Sequence, residues 1–173
     1  MNELKLRELQ LKDVQGMLEW MHDRDITQDL KTDFASKTLE NCYDFIKCSA
    51  HTEKDLHLAI ADDTDEYMGT VSLKHIDTSS GTAEFAITVR KKAMGKGYSQ
   101  YGMREIIRIG FSRLGLQKII WCVSPDNQRA VRFYEKMGYP RLKGENNLVQ
   151  YYTSEERETF FWFCAESADI SWR

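Results

Sequence analysis

KAMGKGYSQ (Lys92–Gln100) and DNQRAVRFYEKMGY (Asp126–Tyr139) organise the whole chain. The first sets Gly95 and Gly97 ahead of a helical pattern from about Tyr98 to Leu114, with Met103, Ile106, Ile107, Gly110 and Leu114 at helical spacing. A helix start leaves backbone N–H groups without partners, and glycine lets a ligand approach the main chain. Amides from about Met94 to Tyr98 are therefore a candidate phosphate cradle. The loop is neither a Walker A motif nor a GxGxxG turn. The second stretch sets Asn127 and Tyr134 about two helical turns apart, near one face of a helix from Asn127 to Met137 that Gly138 ends. Cradle and phenol together suggest a phosphorylated cofactor laid beside a proton donor.

The flanking segments supply a sheet. Lys118–Val123 is a continuous apolar run, as expected of a strand covered on both faces. Ala83–Val89, Tyr67–His75 and His57–Ala61 read as antiparallel strands joined by DTSSG and by the acidic turn DDTDE. Lys5–Leu9 alternates as a first strand, and Thr159–Cys164 reads as a last one. Leu11–Met21 predicts an amphipathic helix with Leu11, Val14, Leu18 and Met21 on one side. Thr38 is expected to cap a second helix that carries Leu39, Cys42, Tyr43, Phe45 and Ile46. Residues 141–157 show no clear pattern. The expected fold is α/β (α+β): a mixed, mostly antiparallel sheet with helices on both faces, in one domain spanning residues 1–173.

Composition narrows the function. A chain of 173 residues with 42% hydrophobic and 29% charged residues suits a soluble globular domain, and no apolar run of membrane-spanning length occurs. Cys42, Cys48, Cys122 and Cys164 are scattered without a CxxC pair, which points to reduced thiols and a cytoplasmic setting. The four histidines form no metal motif, so no metal is expected. Net charge is −3, yet residues 90–113 hold seven basic residues and one acid. So compact a basic patch on an acidic chain suits a small polyanion better than a nucleic acid, and no membrane or nucleic-acid partner is expected.

Each candidate side chain also has a plain structural reading. Glu84 shares a strand face with Ala86 and Thr88, where a carboxylate could act as general base or simply be paired. Asn127 could be only a helix N-cap, and Tyr134 only a core aromatic, although a phenol suits protonation of a leaving thiolate. His75, at a strand end, could bind substrate or be structural. Asp23, Asp25, Asp29 and Asp33 could attract an amine or form a solvated loop.

These motifs resemble the GCN5-related N-acetyltransferases over essentially the full length, most clearly from Ala83 to Tyr139. The family signature Gln/Arg-x-x-Gly-x-Gly/Ala stands here as Lys92-Ala93-Met94-Gly95-Lys96-Gly97, with Lys92 a departure in the first slot. NQRAVRFYEKMGY matches the later motif. The resemblance implies a sheet splayed between its fourth and fifth strands, with acetyl-CoA as co-substrate. The pantetheine arm would lie along Ile87, Thr88 and Val89, and the pyrophosphate on the loop of Lys92, Met94, Gly95, Lys96, Gly97, Tyr98 and Ser99. Asn127 and Ala130 would contact the cofactor, Tyr134 would be the general acid and Glu84 the base, while His75 and Asp29 would meet the amine. The branch it looks like acts on ribosomal-protein N-termini, polyamines and amino sugars, and the hairpin is most similar to enzymes of nucleotide-linked amino sugars. A peptide N-terminus, a polyamine, a non-catalytic acyl-CoA-binding module and a possible homodimer remain alternatives or additions.

Overall fold

The computed structural model describes residues 4–168. Its sheet has six strands in sequence order: β1 (Lys5–Glu8), β2 (Leu56–Ala61), β3 (Tyr67–Asp77), β4 (Thr82–Val89), β5 (Lys118–Val123) and β6 (Phe161–Glu166). All neighbours run antiparallel except β4 and β5. That parallel pair is ladder-bonded only at Thr82–Lys118, Ala83–Ile119 and Glu84–Ile120. Beyond Glu84, β4 stays with β3 to Val89 and β5 stays with β6 to Val123, so the sheet forks. The expected splay is present, and the half-exposed run Ala86–Thr88 marks it on β4.

Helices cover both faces. α4 (Tyr98–Ser112) buries Met103, Ile106, Ile107 and Gly110 against the face that carries Val71, Leu73, Phe85 and Ile119. The Met103, Ile106 and Ile107 side chains, withdrawn from water, each contribute about 1.5–3 kcal/mol as an upper estimate. α5 (Gln128–Lys136) adds Val131 and Tyr134 to the same layer. On the opposite face α1 (Val14–Met21) and α3 (Leu39–Cys48) pack around Ala59 and Tyr67. The short α2 (Arg24–Thr27) joins that layer through Ile26. Thr38 caps α3, accepting from the Asn41 amide while the Asn41 side chain accepts in return.

Three expectations need correction. Leu11 is exposed, because residues 11–13 form a 3₁₀ turn rather than helix, and the buried stripe of α1 is Val14, Met17, Trp20 and Met21. The last strand starts at Phe161, since Ser154–Thr159 forms α6 behind a Thr153 cap that accepts from the Glu156 amide. Residues 141–157, opaque in sequence, fold over β5 and β6 and bury Leu148 with Ile120, Trp162 and Cys164.

Gly69 on β3 faces the strand that bounds the fork. A Cβ there would stand 2.5 Å from the Thr88 carbonyl oxygen and 2.9 Å from Val89 Cα, and backbone cannot yield as a flexible side chain can. Gly69→Ala is expected to lower unfolding stability by about 1–3 kcal/mol in a denaturant titration, through overpacking alone.

Candidate active site

The fork opens into a cleft of about 350 Å³ between β4 and α5, lined by Ile87, Thr88, Val89, Met94, Gly95, Gly97, Asn127 and Tyr134 among others. Its far end is the start of α4. Gly95 and Gly97 have φ of +73° and +87°, and a Cβ at either would meet nothing within 4 Å, so backbone conformation rather than space selects glycine. Gly97 is the N-cap residue and supplies no side chain, which leaves the first-turn amides of α4 uncapped. Gly97, Ser99 and Gln100 line the cleft at that point. An uncapped helix start beside an unpaired strand edge suits a phosphate-bearing, amide-containing chain: phosphate at the first, an added strand-like segment at the second.

Arg90, Lys91 and Lys92 are engaged elsewhere. Lys92 pairs with Glu66 at 2.6 Å, and Arg90 holds both Glu19 and Glu66. Lys91 meets Asp25 at 2.8 Å. Lys92, Lys96 and the buried Tyr98 are not among the cleft-lining residues, so the expected contact from the Lys92 side chain is not what this geometry offers. Arg129 and Lys136 of α5, which sequence reasoning passed over, do line the cleft, and Arg129 reaches the Met94 sulfur.

On α5, Asn127 is the N-cap, its Oδ1 accepting from the Ala130 amide at 3.1 Å, and it lines the cleft as well. The N-cap reading of that residue therefore holds, and its position leaves it facing the cleft. Tyr134 is 7% exposed and packs among Phe85, Trp121, Phe133 and Phe163. Burial, and secondarily Cys122, pushes its phenol well above the ordinary value, which keeps the proton on Oη through the neutral range.

A second cavity, about 540 Å³, lies on the opposite face of the sheet under α1 and α3. Trp20, Phe34 and Phe45 form its apolar walls, and His57, Thr70 and Ser72 its polar floor. Lys37 and Lys74 face it with Asp44 as the one carboxylate among its lining residues. The two cavities share Ile87 and Thr88, the residues of β4 at the open fork.

Glu84 lies elsewhere. It lines neither cavity, is 5% exposed, accepts from the Tyr152 hydroxyl, and stands 3.4 Å from both Lys74 Nζ and His75 Nε2. The hairpin face on which it was expected to open toward substrate is sealed there by residues 151–152. His75 stacks on Tyr151 at 3.7 Å and likewise lines neither cavity. Asp29 is half-buried outside both, while Asp23 caps α2 and Asp33 accepts from the Ser36 amide. Asp23, Asp25 and Asp33 are thus engaged locally or by Lys91.

Comparison with known proteins agrees with this geometry. Residues 3–140 match the model of the acetyltransferase (GNAT) domain. The chain belongs to the GNAT family. It is an acetyl-CoA-dependent N-acetyltransferase. It is 24% identical to the acetyltransferase PseH of Campylobacter jejuni over 94% of this chain and 91% of that one. It is 26% identical to the spermidine N(1)-acetyltransferase of Escherichia coli K12 over 83% and 76% of the two chains. The fold superimposes on a spermidine N-acetyltransferase of Vibrio cholerae in complex with CoA and spermine, with a TM-score of 0.78, 22% identity and coverage of 95% and 96%. No helix among the described residues is long and apolar enough to cross a membrane.

His57 gives the second cavity a measurable signature. Its Nδ1 lies 2.6 Å from Ser72 Oγ, and burial lowers its pKa from 6.5 to about 4, Asp55 and Lys74 acting in opposite senses. The folded state therefore binds fewer protons than the unfolded state between those values. Its stability is full above pH 6.5 and falls as pH drops toward about 4, by about 3 kcal/mol in all. Denaturant titrations across that window should show this slope, and His57→Gln should flatten it.

Proposed function

We propose that this enzyme acetylates a small-molecule amine that also carries an apolar ring and an anionic group, such as a nucleotide-linked amino sugar. The observation that carries this reading is the meeting of the two cavities at Ile87 and Thr88, one built from backbone and the other walled by aromatics with two lysines and one aspartate. Such a lining suits a stacked base and a phosphate better than a polycation, because Lys37 and Lys74 outnumber its one carboxylate, Asp44. Bound acetyl-CoA supplies the activated acetyl group as a thioester.

The chain's own residues would divide the work. The α4 amides and the free β4 edge hold the donor, and Asn127 with Ala130 borders it. Tyr134 keeps a proton on Oη at the cleft and gives it to the departing sulfur. The cavity under α1 and α3 orients the amine, and holding both reactants at one junction supplies acceleration without a covalent step on the enzyme. Glu84 then serves to hold Tyr152 and the fork, so the proton that the attacking nitrogen sheds as the amide forms passes to solvent in the cavity, and solvent returns one to Tyr134. The V. cholerae enzyme has been described as a dodecamer, which supports a homo-oligomer here.

The acceptor is tested by amine-dependent CoA release with a nucleotide-linked amino sugar, the free amino sugar, a peptide N-terminus and spermidine. The anionic amine should exceed spermidine by about tenfold or more in kcat/KM, and Lys37→Gln should erode that margin mainly through KM. A preference for spermidine would overturn the anionic reading, and no turnover with any amine would favour a binding module. Tyr134→Phe should lower kcat by about 10²-fold with acetyl-CoA affinity nearly unchanged in calorimetry. A Phe variant of full activity would leave Tyr134 as a core aromatic only.

A further inference from the structure

Three side chains outside the cofactor cleft form a hydrogen-bonded file that ends in the second cavity. Trp20 Nε1 lies 2.9 Å from Tyr67 Oη, and Tyr67 Oη lies 2.7 Å from Thr70 Oγ1. Trp20 and Tyr67 are 4% and 3% exposed, whereas Thr70 is half-buried and lines the cavity. Thr70 is the direct cross-strand partner of Thr88, so the two side chains share a face about 5 Å apart. Thr70 therefore stands beside the junction where the cavities meet.

The direction of this file follows from the donor inventory. An indole N–H can only donate, so Tyr67 Oη accepts from Trp20. The phenol is buried, and among the described residues Thr70 Oγ1 is the acceptor within its reach. Were Thr70 to donate instead, the Tyr67 proton would be buried without an acceptor, which folded proteins avoid. Tyr67 thus donates to Thr70, and the Thr70 hydroxyl is left with its own proton, which has no acceptor among the described residues. The cavity is where that proton can be used. Trp20 and Tyr67 act as positioning residues: they occupy one lone pair of Thr70 Oγ1 and so restrict where its O–H can turn.

We propose that Thr70 determines acceptor specificity by presenting this oriented O–H donor, so that the enzyme favours amines bearing an oxygen within one or two carbons of the amino group. The inference rests on the second cavity being the amine site. It goes beyond the anionic reading, because it predicts a preference within uncharged amines as well. A polyamine backbone, which carries no oxygen, would leave the donor unmet, whereas an amino sugar has a neighbouring hydroxyl or ring oxygen to accept from it.

The test compares 2-aminoethanol with n-propylamine, which differ in hydroxyl against methyl, under saturating acetyl-CoA with the full chain. The wild type should favour 2-aminoethanol by about tenfold or more in kcat/KM. Thr70→Val, nearly isosteric, should bring that ratio to about one, Thr70→Ser should restore it, and Tyr67→Phe should give an intermediate ratio by freeing the hydroxyl to rotate. A wild-type ratio near one, or a ratio that Thr70→Val and Tyr67→Phe leave unchanged, overturns the proposal while the cavity assignment stands. Cys48→Trp separates the two: Cys48 is exposed and lines the cavity, so an indole there should raise KM for both amines. If Cys48→Trp changes neither KM, the cavity is not the amine site, and the role of Thr70 falls with it.

Discussion

Everything functional in this molecule depends on where the β4–β5 ladder stops. A parallel pair that stayed bonded to its end would have no cleft, and its edge amides would be spent on a neighbouring strand. Here pairing ends at Glu84 and Ile120, and the fork is wedged from both faces. On one face Tyr134 sits among Phe85 of β4 and Trp121 of β5, its ring 6.3 Å and 5.5 Å from theirs. On the other face Tyr152 bonds Glu84 of β4 and Cys122 of β5, one contact on each arm. Burial, with Glu84 beside it, pushes the Tyr152 phenol up, and burial raises the Cys122 thiol to about 12, so neither group ionises at neutral pH and the clasp is stable there. Glu84 thus sits at the apex of the fork, holding Tyr152.

The cofactor half of the site was legible in sequence because it is made largely of backbone. Backbone geometry leaves a mark in residue type: Gly95 and Gly97 for positive φ, an apolar run for β5, an Asn that caps and a Tyr seven residues on. Charge was a poorer guide. The basic patch at 90–113, with Lys92 in it, suited a small polyanion, but a cation is drawn to the nearest carboxylate, and the partners of Arg90, Lys91 and Lys92 (Glu19, Asp25 and Glu66) come from three other segments that only the fold brings near. The uncapped N–H groups of α4 suit an anion better, as their geometry does not depend on a flexible side chain.

The second cavity was illegible for the opposite reason. His57, Thr70, Ser72, Trp20 and Phe45 belong to different elements and share no spacing; each looks like an ordinary strand or helix residue until β2 and β3 are in register. Leu11 was misplaced because period alone cannot reveal that a 3₁₀ turn precedes α1. The segment from 141 to 157 was opaque because its few apolar residues, Leu142, Leu148, Val149 and Tyr152, gain a purpose only against β5 and β6. One local signal there was readable: Thr153 with Glu156 three residues on is a capping box, and it sets the start of α6.

This division has a chemical logic. Donor binding uses groups that every residue has, so it can be specified by a few glycines and one broken ladder. Acceptor choice must use side chains, because only they differ in charge, shape and hydrogen-bonding sense. In this chain the two meet across one strand, with Ile87 and Thr88 facing both cavities and Thr70 standing opposite. A change on β3 can therefore alter the second cavity without disturbing the free edge of β4, since side chain and ladder point in perpendicular directions. The fold separates what is acetylated from how the acetyl group is held, and the separation lies in the geometry of a single β-strand.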